Sequence, residues 1–162
     1  MIEGGFYIIK EEFFNLVDEP FLRANKQGNR PHYYCFKDDK ALVYWMIPLS
    51  SKVEKYKHIV EKRMKKHKSC DTIHIIKTDN DKWNVLLIAD MFPITEQYIE
   101  RKYAIASNHL RVTSEHEMRE ISRKSKKVLG MLKQGVKFSP TQCDIAKIKK
   151  VLNKSEKNLN SI

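Results

Sequence analysis

Ala41-Leu42-Val43-Tyr44-Trp45-Met46-Ile47-Pro48-Leu49-Ser50-Ser51-Lys52, with the lysine-rich stretch from Val53 to Lys68 behind it, is the segment around which the chain is organised. Ala41 to Ile47 is an unbroken apolar run bounded by Asp38-Asp39 and by Pro48. A run this short, rich in β-branched and aromatic side chains, reads as a buried strand rather than a helix. It delivers two hydroxyls, Ser50 and Ser51, and the Lys52 ammonium to the lip of the core. Beyond it, Val53, Tyr56, Ile59, Val60 and Met64 fall at helical spacing, and Lys55, Lys57, Lys62, Arg63, Lys65, Lys66 and Lys68 cover the remaining surface. A strand, a hydroxyl-bearing turn and a basic helix form a unit suited to a phosphodiester.

The whole chain has 162 residues, enough for one domain with a real core, and a net charge of +11. That imbalance favours polyanionic partners, nucleic acid first and a membrane surface second. No apolar stretch approaches the roughly 20 residues that cross a bilayer. The start, Met1-Ile2-Glu3-Gly4-Gly5, has no basic region of the signal-peptide kind. Cys35, Cys70 and Cys143 are odd in number and widely spaced, which fits thiols in a reducing cytoplasm better than a disulfide frame or a zinc site.

Outward from the central segment, Phe6 to Ile9 is a short strand candidate, and Glu11 to Leu16 is a turn or two of helix with Phe13, Phe14 and Leu16 inward. Asp18 to Arg30 has loop composition, and Arg30-Pro31-His32 leads into a strand over Tyr33 to Phe36. Lys37 to Lys40 is a hairpin turn into the Ala41 strand. Asp71 to Lys77 and Trp83 to Ala89 form a second hairpin about the Thr78-Asp79-Asn80-Asp81 turn. Thr95 to Val112 has no clean period and reads as a short helix or a last strand. Ser114 with Glu117 is a capping box for a long helix that Gly135 stops. Ser139 with Gln142, and Pro140 at the first helical position, start another helix carrying Ile145, Ile148 and Leu152. The polar tail frays from about Asn153. The expectation is one α+β domain over 1–162: a small antiparallel, partly closed β-barrel with an inserted basic helix and C-terminal helices.

The acids are scattered, and Asp79 with Asp81 sits in a turn, so a metal nuclease is disfavoured and no cofactor motif appears. RNA offers a metal-free route, in which its 2′-hydroxyl attacks the adjacent phosphorus while side chains move protons and stabilise charge. Hairpin pairing of Tyr33–Phe36 with the central strand brings Arg30 and His32 beside Ser50, Ser51 and Lys52, the candidate catalytic cluster. Lys55, Tyr56, His58, Lys62, Arg63, Lys65 and Lys66, with Arg30, are the candidate RNA contacts. Each has a plainer reading: the serines as helix caps, His32 as a strand-edge histidine, the lysines as a solvated face. Trp45 and Trp83 read as core, whereas Tyr33, Tyr34 and Tyr56 could stack on splayed bases.

Arg30-Pro31-His32, Ile47-Pro48-Leu49-Ser50-Ser51-Lys52 and Met91-Phe92-Pro93-Ile94, in that order, resemble the ToxN/AbiQ family of type III toxin–antitoxin toxins, the CptN branch most of all. The resemblance implies a compact fold like the MazF/Kid barrel toxins, extended by helices. It implies a metal-independent, sequence-specific endoribonuclease that leaves 2′,3′-cyclic phosphate and 5′-hydroxyl ends, acting in the cytoplasm on cellular or phage RNA. Its partner would be a repeated pseudoknot antitoxin RNA that both inhibits it and is processed by it, in a heteromeric protein–RNA assembly. Ser50 and Ser51 match the family's hydroxyl pair. His32 stands where relatives carry a lysine, Val53 where ToxN has a lysine two places after the serine, and Gly28 where ToxN has a tyrosine before the proline; Lys52 or Lys55 would take over the lysine role. A non-catalytic RNA-binding protein using the basic helix is the alternative.

Overall fold

The structure, a computed structural model, describes residues 1–22, 29–78 and 80–159, with side chains as far as 156. Gly28, Asp79 and the middle of the Asp18–Arg30 loop lie outside the described residues. The central hairpin is β2 (His32–Asp38) against β3 (Val43–Ser50), in antiparallel register from His32 opposite Pro48 to Asp38 opposite Val43. A bulge between Tyr34 and Phe36 interrupts the pairing. At the turn, Leu42 takes a positive φ of 52° and Asp38 accepts the Ala41 amide, so the strand begins at Val43 rather than Ala41. On the far side of β2 lie β1 (Phe6–Ile9) and then β7 (Ile99–Lys102).

β3 does not end at Pro48, as the sequence suggested, and the reason is its change of neighbour. Its first half pairs with β6 (Phe92–Ile94), and its end pairs with β5 (Trp83–Leu86), which in turn pairs with the edge strand β4 (His74–Lys77). The Pro48 carbonyl accepts from the Leu87 amide, and Leu49 donates to the Pro31 carbonyl. In a strand a residue's N–H and C=O point the same way, so Pro48 lacks its donor on the side where the chain leaves β5 for a 3₁₀ turn, Ile88–Asp90. That switch, with a proline at its centre, turns the end of β3 onto β5, where Ser50 pairs with Val85 and Ser51 leaves the strand.

Two apolar clusters hold these parts. The larger buries Phe6, Tyr33, Trp45, Met46, Ile47 and Phe92 under α1 (Glu11–Val17), α3 (Glu115–Lys133) and α4 (Ile145–Leu159). The smaller packs Tyr56 of α2 (Val53–His67) against Cys70, Ile73, Val85 and Leu87, fastening the basic helix to the β4–β5 hairpin. The groove between these two bodies is where the site lies.

The expected α+β, antiparallel architecture is present, but the sheet is open. Among the described residues, β4 and β7 at its two ends pair with nothing beyond β5 and β1. β7 presents exposed Glu100, Arg101 and Lys102, charges that blunt an edge against further pairing, and the chain then turns away into a separate hairpin of β8 (Ala104–Ile105) and β9 (Asn108–His109). Ser114 caps α3 by accepting from the Glu117 amide. The second capping box does not form. Gln142 is buried and donates instead to the Ala89 carbonyl, while Asp144 caps α4 by accepting from Ala146 and Lys147. α4 runs past Asn153 to Leu159. Trp83, read as core, is 55% exposed, and Leu16 and Met64 also face outward. Tyr33 and Tyr34, read as stacking candidates, are buried. The three cysteines are buried and unpaired.

Candidate active site

Ser50, Ser51 and Lys52 form the passage from β3 into α2, and here the local chemistry departs from simple capping. Lys52 occupies the cap position and gives no side-chain bond to the helix. Ser50 Oγ accepts from the Lys52 amide at 3.3 Å, a tight local turn, and the Ser51 carbonyl accepts from the Val53 amide. The Ser51 hydroxyl is exposed and makes no hydrogen bond among the described residues. It stands at the positive end of a 15-residue helix, where free amides and the macrodipole favour an anion.

These three residues line a cleft of about 350 Å³. Asn29, Arg30 and Pro31 enter it from the start of β2, Lys55 and Tyr56 from the first turn of α2, Asn80, Lys82 and Asn84 from the β4–β5 hairpin, and Tyr103 from the strand connection after β7. Among the described residues its lining holds four cations, Arg30, Lys52, Lys55 and Lys82, and no carboxylate. Positive charge gathered in a concave, partly desolvated site acts on an anion more strongly than the same charge on an open surface. The predicted proximity of Arg30 to Ser50, Ser51 and Lys52 is thus present, carried by the pairing of His32 with Pro48.

His32 itself is not in the cleft. Its imidazole is fully buried, edge-on to Phe92 with ring centroids 5.4 Å apart and beside Phe14 at 6.1 Å. Burial, with the Arg30 guanidinium adding to it, pushes the imidazole down to about 3, against a smaller opposing pull from the Arg30 backbone. Neither ring nitrogen has a well-formed hydrogen bond. The ring is neutral near pH 7, faces the core and has no access to a substrate, so its reading as a solvent-facing acid or base is corrected. α1 lays Phe14 over that face of the hairpin, an effect that the spacing along β2 does not reveal.

The remaining predicted contacts divide. Arg63 is tied to the Thr72 hydroxyl, the inner wall of a neighbouring cleft, rather than projecting freely. His58, Lys62, Lys65 and Lys66 are exposed on α2, and Lys62 and Lys66 continue the row that Lys55 begins at the cleft. Lys55 lies over the Tyr56 ring, its ammonium 5.6 Å from the centroid. Lys82, Asn84 and Tyr103 were not singled out from sequence; each reaches the cleft from a distant element, and only Lys82 had a local signal, as the one cation after an acidic turn. Among the described residues, no three His, Cys, Asp or Glu side chains gather as metal ligands, and no helix is long and apolar enough to cross a membrane.

No protein-family model matches the chain, and no curated protein does. Among solved structures it superposes on AbiQ, a lactococcal anti-phage endoribonuclease belonging to the type-III toxin-antitoxin system, with a TM-score of 0.70. The match covers 94% of this chain and 98% of AbiQ at 14% sequence identity. A likeness at that identity is one of architecture, and along nearly its whole length the chain has the fold of AbiQ.

Proposed function

We propose that the chain is a metal-independent endoribonuclease, a toxin of the type III toxin–antitoxin kind acting on cellular or phage RNA in the cytoplasm. One observation carries the reading: a Ser51 hydroxyl at a helix N-terminus that has no hydrogen-bond partner among the described residues, in a cleft whose described lining holds four cations and no acid. The likeness of fold to AbiQ and the Arg30-Pro31, Pro48-Leu49-Ser50-Ser51 and Met91-Phe92-Pro93-Ile94 motifs support it.

In this reading the scissile phosphate sits before the α2 N-terminus, between Arg30, Lys52 and Lys82. The 2′-oxygen attacks phosphorus as its proton leaves, the Ser51 hydroxyl and the surrounding ammonium groups stabilise the charge on the non-bridging oxygens, and the 5′-oxygen departs with a proton. The products are a 2′,3′-cyclic phosphate and a 5′-hydroxyl. With His32 removed from the cleft, the described groups able to exchange that proton are Lys52, Lys55, Lys82, Tyr56, Tyr103 and the two serines. The described lining offers no carboxylate of the sort Mg²⁺ requires, which supports a metal-free route. A folded antitoxin RNA of repeated pseudoknots would occupy the same groove, lie along the Lys55–Lys62–Lys66 row and be cut by it, giving a mixed protein–RNA assembly.

Incubation of the protein with end-labelled RNA in excess EDTA tests this. Fragments with cyclic phosphate and 5′-hydroxyl ends are expected, and an RNA with 2′-O-methyl groups should resist. The lack of an imidazole in the cleft favours a second reading, a non-catalytic RNA binder. Intact RNA in EDTA, together with salt-sensitive binding, would decide for it.

A further inference from the structure

A second cleft, of about 510 Å³, adjoins the first across a ridge made by Lys55 and Tyr56, which line both. Its chemistry differs. Phe21, Tyr56 and Phe138 supply aromatic surface, Ile59, Ile73 and Leu87 apolar surface, and Asp90 the one carboxylate among the described residues of either lining. Its walls are braced. Lys147 ties the Asp18–Leu22 segment to α4, donating to the Asp18 carbonyl at 2.7 Å and pairing with Glu19 at 3.4 Å. Gln142 holds the Ala89 carbonyl, and Arg63 holds Thr72 at the inner wall.

We infer that this second cleft is a nucleobase subsite, which receives an unpaired base next to the phosphate held at Ser51. The inference rests on the RNA-cleaving reading for its neighbour but not for its own chemistry. A phosphate suits the first cleft, with its four cations; a neutral, flat, partly apolar ring with hydrogen-bonding edges suits the second, whose lining combines Lys55, Arg63 and Asp90 with aromatic side chains. A strand crossing the Lys55–Tyr56 ridge places its backbone on one side and a splayed base on the other. Phe138 and Phe21 give the stacking surface. Asp90, an acceptor only, favours bases that carry an exocyclic amine, adenine or cytosine, over uracil.

The test is binding of short 2′-O-methyl oligomers of adenine, cytosine or uracil, which cannot be cut, to the wild type and to Asp90→Asn, Phe138→Ala and Lys52→Gln. The wild type is expected to prefer an amine-bearing base by at least about fivefold, and Phe138→Ala to lose roughly tenfold on that base, as befits one lost stack. Asp90→Asn, nearly isosteric and expected to melt like the wild type, should shrink the preference, whereas Lys52→Gln should weaken all three oligomers alike. Equal affinity of the wild type for the three oligomers, or variants of the second cleft that scale all three equally, would overturn the subsite. A wild type that discriminates bases but cuts no RNA would remove the cleavage reading and leave the subsite standing.

Discussion

Ser51 and His32 lie at the same end of one hairpin, yet one faces solvent in a cationic cleft and the other is sealed among Phe14 and Phe92. Strand pairing brings backbones together; which way a side chain faces depends on what packs on each side of the sheet. Here α1 covers one side, and the wing of α2 with the β4–β5 hairpin frames the other. The cleft side concentrates positive charge and the core side excludes it, so substitutions at the two should separate function from stability.

The core side should show the largest effect. Phe92 is fully buried, stacks on Phe13 at 5.6 Å and meets His32 edge-on. Phe92→Ala is expected to cost about 3–5 kcal/mol of unfolding free energy, measured by urea denaturation. A loss below 1 kcal/mol would mean that this face is not the core described here.

The imidazole gives a sharper signature. Because burial holds His32 at about 3, far below its ordinary 6.5, the folded state refuses a proton that the unfolded chain accepts. Its contribution to stability is present above pH 6.5 and is lost as pH falls from 6.5 toward 3, with a slope of up to about 1.4 kcal/mol per pH unit. His32→Leu should flatten that part of the stability–pH curve while changing RNA cleavage at pH 7 by less than about threefold. Loss of cleavage in a well-folded His32→Leu protein would return the imidazole to the chemistry.

On the cleft side the smallest effects are electrostatic. Lys82→Gln should leave the melting temperature unchanged and lower the slope of log affinity against log salt by about 0.7, the share of one phosphate contact on a single strand. Lys126→Gln, whose ammonium lies over the Phe36 ring toward the other end of β2 and outside the cleft lining, should leave that slope alone. Equal changes for both would spread RNA binding over the whole basic surface.

The elements nearest the central hairpin were legible because their signals are local. The apolar run gave β3, the apolar residues at helical spacing from Val53 to Met64 gave α2, and Ser114 with Glu117 gave the start of α3. Legibility failed where neighbours distant in sequence decide the outcome. Pro48 continues a strand because its missing donor falls at the 3₁₀ turn after β5, and Gln142 leaves its capping box for the Ala89 carbonyl. Trp83 stays exposed although its composition reads as core. The cleft shows the same division: Arg30, Ser50, Ser51 and Lys52 followed from the hairpin, while Asn84 and Tyr103 come from elements whose position only the fold supplies.

The Ser51 hydroxyl has room, exposure and a cationic surround, and no hydrogen-bond partner among the described residues. Its most direct test is a paired measurement on Ser51→Ala, with cleavage rate and RNA affinity taken in the same EDTA buffer. The account predicts a 10²- to 10³-fold slower rate, about the effect of removing one donor from a developing oxyanion, with affinity and melting temperature within about threefold and 1 °C of the wild type. Cleavage at the wild-type rate would contradict it.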